Sequence, residues 1–146
     1  KRIRSAIDDA RGSFRVATGR PLTLVAIYGT LKVGYFNHEL YLKGALPVHS
    51  RFVDLPFEMY ENSEYPMLVA SSKRHPIWVE LFEVDADKLQ ELDDLEAPYD
   101  YWRETLHLEE LSLEVEIYVH ASPPPPSFTL VATGEWRPPS LKFRRA

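Results

Sequence analysis

No cysteine occurs in the 146 residues. That excludes disulfides, thiolate-held metals and a cysteine nucleophile, and it suits a cytoplasmic location. Long apolar runs are missing too: nothing approaches the roughly 18 uninterrupted apolar residues of a membrane span. The opening KRIRSAIDDARG is charged but has no apolar centre, so no secretory signal is read there. Basic charge is the minority, with 17 Lys and Arg against 22 Asp and Glu and a net charge of −5. Such a chain does not suit a dedicated nucleic-acid partner. Its basic cluster, LKFRRA, ends the sequence and reads as a solvated tail.

Several chemistries lack their residues. There is no G-x-S-x-G elbow and no phosphate-binding G-x-x-x-x-G-K-[ST], and Gly29 and Gly34 make no dinucleotide fingerprint. NHELYL begins like a zinc-protease helix, but Leu42 stands where the second histidine must be. His38, His49, His75, His107 and His120 show no metal-ligand spacing. Neither a metal nor a cofactor is expected.

What is present fits one domain, with 45% hydrophobic and 27% charged residues. Ile3, Ala6, Ile7 and Ala10 predict a short amphipathic helix, and residues 1–21 are taken as this helix and a connector. LTLVAIY reads as a strand buried on both faces. Asn37 is expected to cap a short helix through Leu42 that Gly44 closes. Three strand-like runs follow, RFVDLPFEMYE, YPMLVAS and PIWVELFEVD, and Pro56 predicts a bulge or an edge. Asp85 caps the helix ADKLQELDDLE, and RETLHLEE and LEVEIYVHA predict a hairpin. In the hairpin, Leu113, Val115, Ile117 and Val119 share one face, and Glu114, Glu116, Tyr118 and His120 the other. SPPPP (Ser122–Pro126) reads as a rigid surface spacer, ahead of a docking element for an SH3- or WW-type protein partner. The order of elements predicts an α+β fold: a single compact domain over 22–138, a mixed β-sheet or small β-barrel flanked by short α-helices, followed by the tail 139–146.

Two places point to chemistry. In AIYGTLKVGYFNHEL the first strand stops at Tyr28-Gly29-Thr30. This is either an ordinary turn or a corner whose amides hold something. In the helix before Pro98, Leu89, Leu92 and Leu95 form a stripe, while Asp87, Gln90, Glu91 and Asp94 point elsewhere. Glu96 projects only about 40° from the centre of that stripe. A carboxylate aimed there loses solvation, so its pKa rises above the usual value of about 4.3. That is how a general base for neutral pH is tuned. The other reading is an ion pair with Arg103 or Lys88.

YGTLKVGYFNH (Tyr28 to His38) resembles the signature Y-G-T-L-K-x-G-x-x-N-H of the gamma-glutamylcyclotransferase-like superfamily. Its Thr-Leu-Lys form is most similar to the gamma-glutamylamine cyclotransferase branch. YPMLV, VELFEVD, LDDLE, Tyr101, Arg103, IYV and GEW then follow in family order, so the resemblance spans about residues 24–138. It implies a cofactor-free enzyme acting on a small γ-glutamyl substrate. Backbone amides around Gly29, Thr30 and Leu31, behind Tyr28, would cradle the γ-glutamyl group, and Glu96 would be the general acid and base. Tyr65, Tyr101 and Tyr118 would complete the substrate pocket, and the product would be 5-oxoproline with a free amine or amino acid. Four residues separate Glu96 from Tyr101, one fewer than the family pattern, which leaves the places of Tyr101 and Arg103 for the structure to decide. The alternative function is a γ-glutamyl or carboxylate-binding module of the same fold, without catalysis.

Overall fold

The computed structural model describes residues 21–137. The helix expected within residues 1–21 and the tail 139–146 lie outside them. The chain forms β1 (Thr23–Ile27), α1 (Phe36–Tyr41), β2 (His49–Glu61), β3 (Pro66–Val84) and α2 (Ala86–Glu96). A 3-10 turn (Ala97–Tyr99), β4 (Tyr101–Leu108), β5 (Leu113–His120) and β6 (Thr129–Leu130) complete it. The strands make one mixed sheet in the order β4-β5-β1-β3-β2-β6. With β4 and β6 as edges, the α+β expectation is met by an open mixed sheet, not a closed barrel.

β1 is apolar from Leu24 onward because both of its faces are covered there. It pairs antiparallel with β3 and parallel with β5. Leu24, Ala26 and Tyr28 point into one core, with Ile77, Val79, Leu81, Val115 and Ile117. Val25 and Ile27 point into the other, where Leu42 and Leu92 cover the sheet. Cβ alternation along a strand makes this division, and it carries through β3 and β5.

Two of the expected runs prove to be one strand. YPMLVAS and PIWVELFEVD form the single 19-residue β3. Its ladder with β2 changes register between Leu55 and Phe57, whose partners are His75 and Ala70. Pro56 has no N–H to give, so the ladder slips there as its position predicted. Opposite it, Ser71 to Arg74 loop outward, and the Arg74 guanidinium donates to Asp54 O at 2.6 Å. The polar stretch that suggested a strand end is this excursion.

Asn37 is not a cap. α1 starts after Tyr35, which makes no side-chain capping bond, and Asn37 Nδ2 donates to Thr30 Oγ1 at 2.8 Å instead. The preceding loop already fixes the helix start, because His38 N–H donates to Thr30 O and Tyr35 O. Gly44 follows the helix with φ +82, as a left-handed exit requires. Asp85 does cap α2, accepting from Lys88 N–H at 2.8 Å. The β4–β5 hairpin forms as expected. The segment after the prolines adds β6, two residues paired with Tyr60 and Glu61 at the end of β2. No helix among the described residues is long and apolar enough to cross a membrane.

Candidate active site

The loop after β1 holds its shape with its own polar groups. Gly29 to Lys32 turn back through Lys32 N–H to Gly29 O at 3.0 Å, and Val33 N–H donates to the Glu80 carboxylate at 2.9 Å. His38 is buried, with Nδ1 3.0 Å from Leu31 O. Lys32 is buried too. Its ammonium donates to Trp136 O at 2.7 Å and lies 5.2 Å from the Tyr35 ring centre. The motif's lysine, asparagine and histidine are therefore fastenings. Among the described residues, no loop hydrogen bond uses the N–H of Gly29, Thr30 or Leu31, and all three residues line a cavity.

That cavity, about 300 Å³, opens where β1 ends. Tyr28 to Leu31 form one wall, and Tyr65 and Pro66 at the start of β3 another. Glu96 and Tyr99 come from the end of α2 and the turn after it, Tyr101 from β4 and Tyr118 from β5. Every residue singled out for a site in the sequence faces this one space. Phe36, Asn37, Glu64, Pro66, Leu95 and Tyr99 face it as well, and sequence reasoning gave them no such place. No sequence signal marked them; in the structure Phe36 and Tyr99 are large aromatics left exposed.

Gly29 is needed for room. A Cβ there would lie 3.0 Å and 3.1 Å from Cγ and Cδ of Pro66. Gly29→Ala is expected to push Pro66 aside and cost about 1–3 kcal/mol, measurable by denaturant unfolding. Tyr101 should lose its anchor in the same step, since its hydroxyl donates to Pro66 O at 2.5 Å.

The hydroxyls of Tyr28 and Tyr118 are likewise committed. Tyr28 OH donates to Tyr118 O at 2.6 Å, and Tyr118 OH donates to Asp93 Oδ1 at 2.7 Å. Burial pushes all three phenols up, and the nearby Glu96 charge pushes each further. They stay neutral and present rings and anchored hydroxyls, not free acids.

Glu96 is partly exposed because it borders the cavity, yet burial raises its pKa from 4.5 to about 7. The suggested ion-pair partners are engaged elsewhere. Lys88 pairs with Glu91, and Arg103 with Asp93 at 2.8 Å and Glu116 at 2.8 Å. One helical turn before Glu96, Asp93 behaves oppositely. Partial burial would raise it, but hydrogen bonds from Arg103 and Tyr118 hold it below the usual carboxylate range. Two acids on one helix are thus driven apart in proton affinity.

Between Glu96 and Tyr101 the chain passes through the 3-10 turn and Asp100, whose φ of +67 swings it into β4. Tyr101 thereby reaches the cavity wall. Arg103 does not line the cavity; it orders Asp93 and Glu116 beside it. Among the described residues, no group of three or more His, Asp or Glu is placed to hold a metal ion.

Residues 25–138 match the family described as gamma-glutamyl cyclotransferase, AIG2-like. A putative gamma-glutamylcyclotransferase of Methanocaldococcus jannaschii is 37% identical over 79 residues, which are 54% of this chain and 65% of that protein. The gamma-glutamylaminecyclotransferase of Bos taurus is 34% identical over 125 residues, covering 75% of this chain and 71% of the relative. Among solved structures, the AIG2-like protein of Mus musculus superposes with a TM-score of 0.61 at 25% identity, over 80% of this chain and 88% of that one. The cavity with its raised glutamate thus sits on a known scaffold, and the chain belongs to the gamma-glutamyl cyclotransferase, AIG2-like family.

Proposed function

We propose that the protein cyclises a γ-glutamyl group, releasing 5-oxoproline and a free amine or amino acid. One observation carries the reading: a carboxyl with a pKa near 7 borders the same cavity as the Gly29–Leu31 amides. Those amides would receive the substrate's α-carboxylate and γ-carbonyl oxygen, since converging N–H groups form an anion-binding hollow. Glu96 would take a proton from the neutral α-amine as its nitrogen attacks the γ-carbon. A C–N bond closes the five-membered ring and negative charge gathers on the carbonyl oxygen, where amide donors stabilise it. The bond to the leaving nitrogen then breaks, and Glu96 returns the proton to that nitrogen. Because both ends belong to one molecule, orientation supplies much of the rate. The tyrosine wall keeps Glu96 poorly solvated and shapes the folded substrate. Release of an amine, as distinct from an amino acid, is supported by the name of the bovine relative.

The test is a panel of γ-glutamyl amides assayed for 5-oxoproline across pH. A general base must be ionised and the attacking amine neutral, so kcat/KM should climb about a hundredfold per pH unit below 7 and about tenfold per unit above it, until the substrate's own amine is titrated. Binding by calorimetry with no turnover on any conjugate would favour the non-catalytic module. A profile with no change of slope from pH 5.5 to 8 would remove Glu96 from the role of base.

A further inference from the structure

The cavity's outer lip is built differently from its floor. Glu96 and the Gly29–Leu31 corner line the cavity together, whereas its exposed side carries aromatic rings. Phe36 and Tyr99 line the cavity while 70% and 56% exposed. The Tyr65 ring centre lies 6.1 Å from that of Tyr99 and 5.7 Å from that of Phe128, both at steep tilts. Inclined contacts of this kind are favourable. The rings are held in place from behind. Asn62 Oδ1 accepts from the N–H groups of both Glu64 and Tyr65 at 2.8 Å, and Tyr99 belongs to the turn directly after Glu96. Glu64 also borders the cavity, is exposed, and forms no ion pair among the described residues.

We infer that this lip is the seat of the leaving group, and that the site selects γ-glutamyl conjugates of amines bearing an aryl ring and no anionic group. The inference rests on the proposed cyclisation. If the glutamyl unit lies on the amides with its γ-carbon near Glu96, the departing substituent must extend outward across the rings. An aryl substituent there covers exposed apolar surface and adds ring-to-ring contact. A second ammonium would be drawn to Glu64 and to the ring faces, but at so open a site water screens both, so it gains less than an aryl ring does. A carboxylate meets the Glu64 charge and is disfavoured.

The experiment measures kcat/KM for 5-oxoproline release from the γ-glutamyl conjugates of methylamine, 2-phenylethylamine, cadaverine and β-alanine. The phenylethyl conjugate is expected to exceed the methyl conjugate by about tenfold or more, with the β-alanine conjugate lowest. In Tyr99→Ala the phenylethyl-to-methyl ratio should fall at least about fivefold, and Tyr99→Phe should restore it. The ratio is internal to each protein, so partial misfolding lowers both rates and leaves it standing. A ratio within twofold of one in the parent, a cadaverine or β-alanine conjugate that equals the phenylethyl one, or a ratio unmoved by Tyr99→Ala overturns the inference. Failure of every conjugate to release 5-oxoproline overturns the cyclisation itself, and is told apart by the methyl conjugate.

Discussion

Glu96→Gln is expected to make the protein slower and more stable together. Glutamine keeps the shape and removes the base, so turnover should fall by about 10²–10⁴, the usual contribution of a positioned proton-transfer group. The stability change follows from linkage. The folded carboxyl titrates near 7 instead of 4.5, so between those values the native state binds more protons than the unfolded chain. Stability from this group is full below about pH 4.5 and is lost as pH rises through 7. Each pH unit of the interval is worth about 1.36 kcal/mol, which makes ionised Glu96 a liability on the order of 3 kcal/mol at pH 8, before cavity water screens part of it. The neutral amide of the variant would carry no such charge. Its melting temperature should exceed the parent's by several degrees at pH 8, and the difference should vanish near pH 4. Parental turnover in the variant would dismiss Glu96 as the base. Equal melting temperatures at pH 8 would show that the carboxyl is not desolvated. The two readouts are independent.

The site was legible where local pattern carries it. The leucine stripe placed Glu96 on the buried side of α2, and the abrupt end of an apolar strand marked the Tyr28–Leu31 corner. Asp85 announced its helix, and alternation announced the hairpin. What was missed needed a partner distant in the chain. β3 runs through a polar stretch because β2 supplies its ladder on both sides of Pro56. β6 is two residues long, too short to show any period. Lys32 is buried, and its ammonium donates to Trp136 O, 104 residues away, a partner that no local pattern announces. Asn37 had the residue type of a cap, but a hydroxyl seven residues back claimed it. The aromatic lip stayed unread for a similar reason: Phe36, Tyr65 and Tyr99 come from three separate segments, and no spacing links them.

The heaviest stability loss is expected from Gly134→Ala, a residue of the GEW stretch that does no chemistry. Gly134 has φ +77, where an alanine pays about 1 kcal/mol in strain alone. Space is the larger obstacle. A Cβ would lie 1.8 Å from Pro76 O and 2.9 Å from its carbon, both main-chain atoms. That backbone cannot yield cheaply, because Ile77 and Trp78 are paired with Val53 and Phe52, and Trp78 N–H donates to Gly134 O at 2.8 Å. The segment must lift off β3 instead. Trp136, 2% exposed, would then leave the core, and its carbonyl would withdraw from Lys32 beside the amide corner. The total should exceed about 4 kcal/mol, beyond most single substitutions. Gly34→Ala is the control: φ is +93, but nothing lies within 4 Å of the new Cβ, so only about 1 kcal/mol of strain is expected. Denaturant unfolding of both variants separates strain from crowding. Similar midpoints would refute the close approach of residue 134 to β3, whereas a much lower midpoint for Gly134→Ala would locate the weight of the fold in that contact.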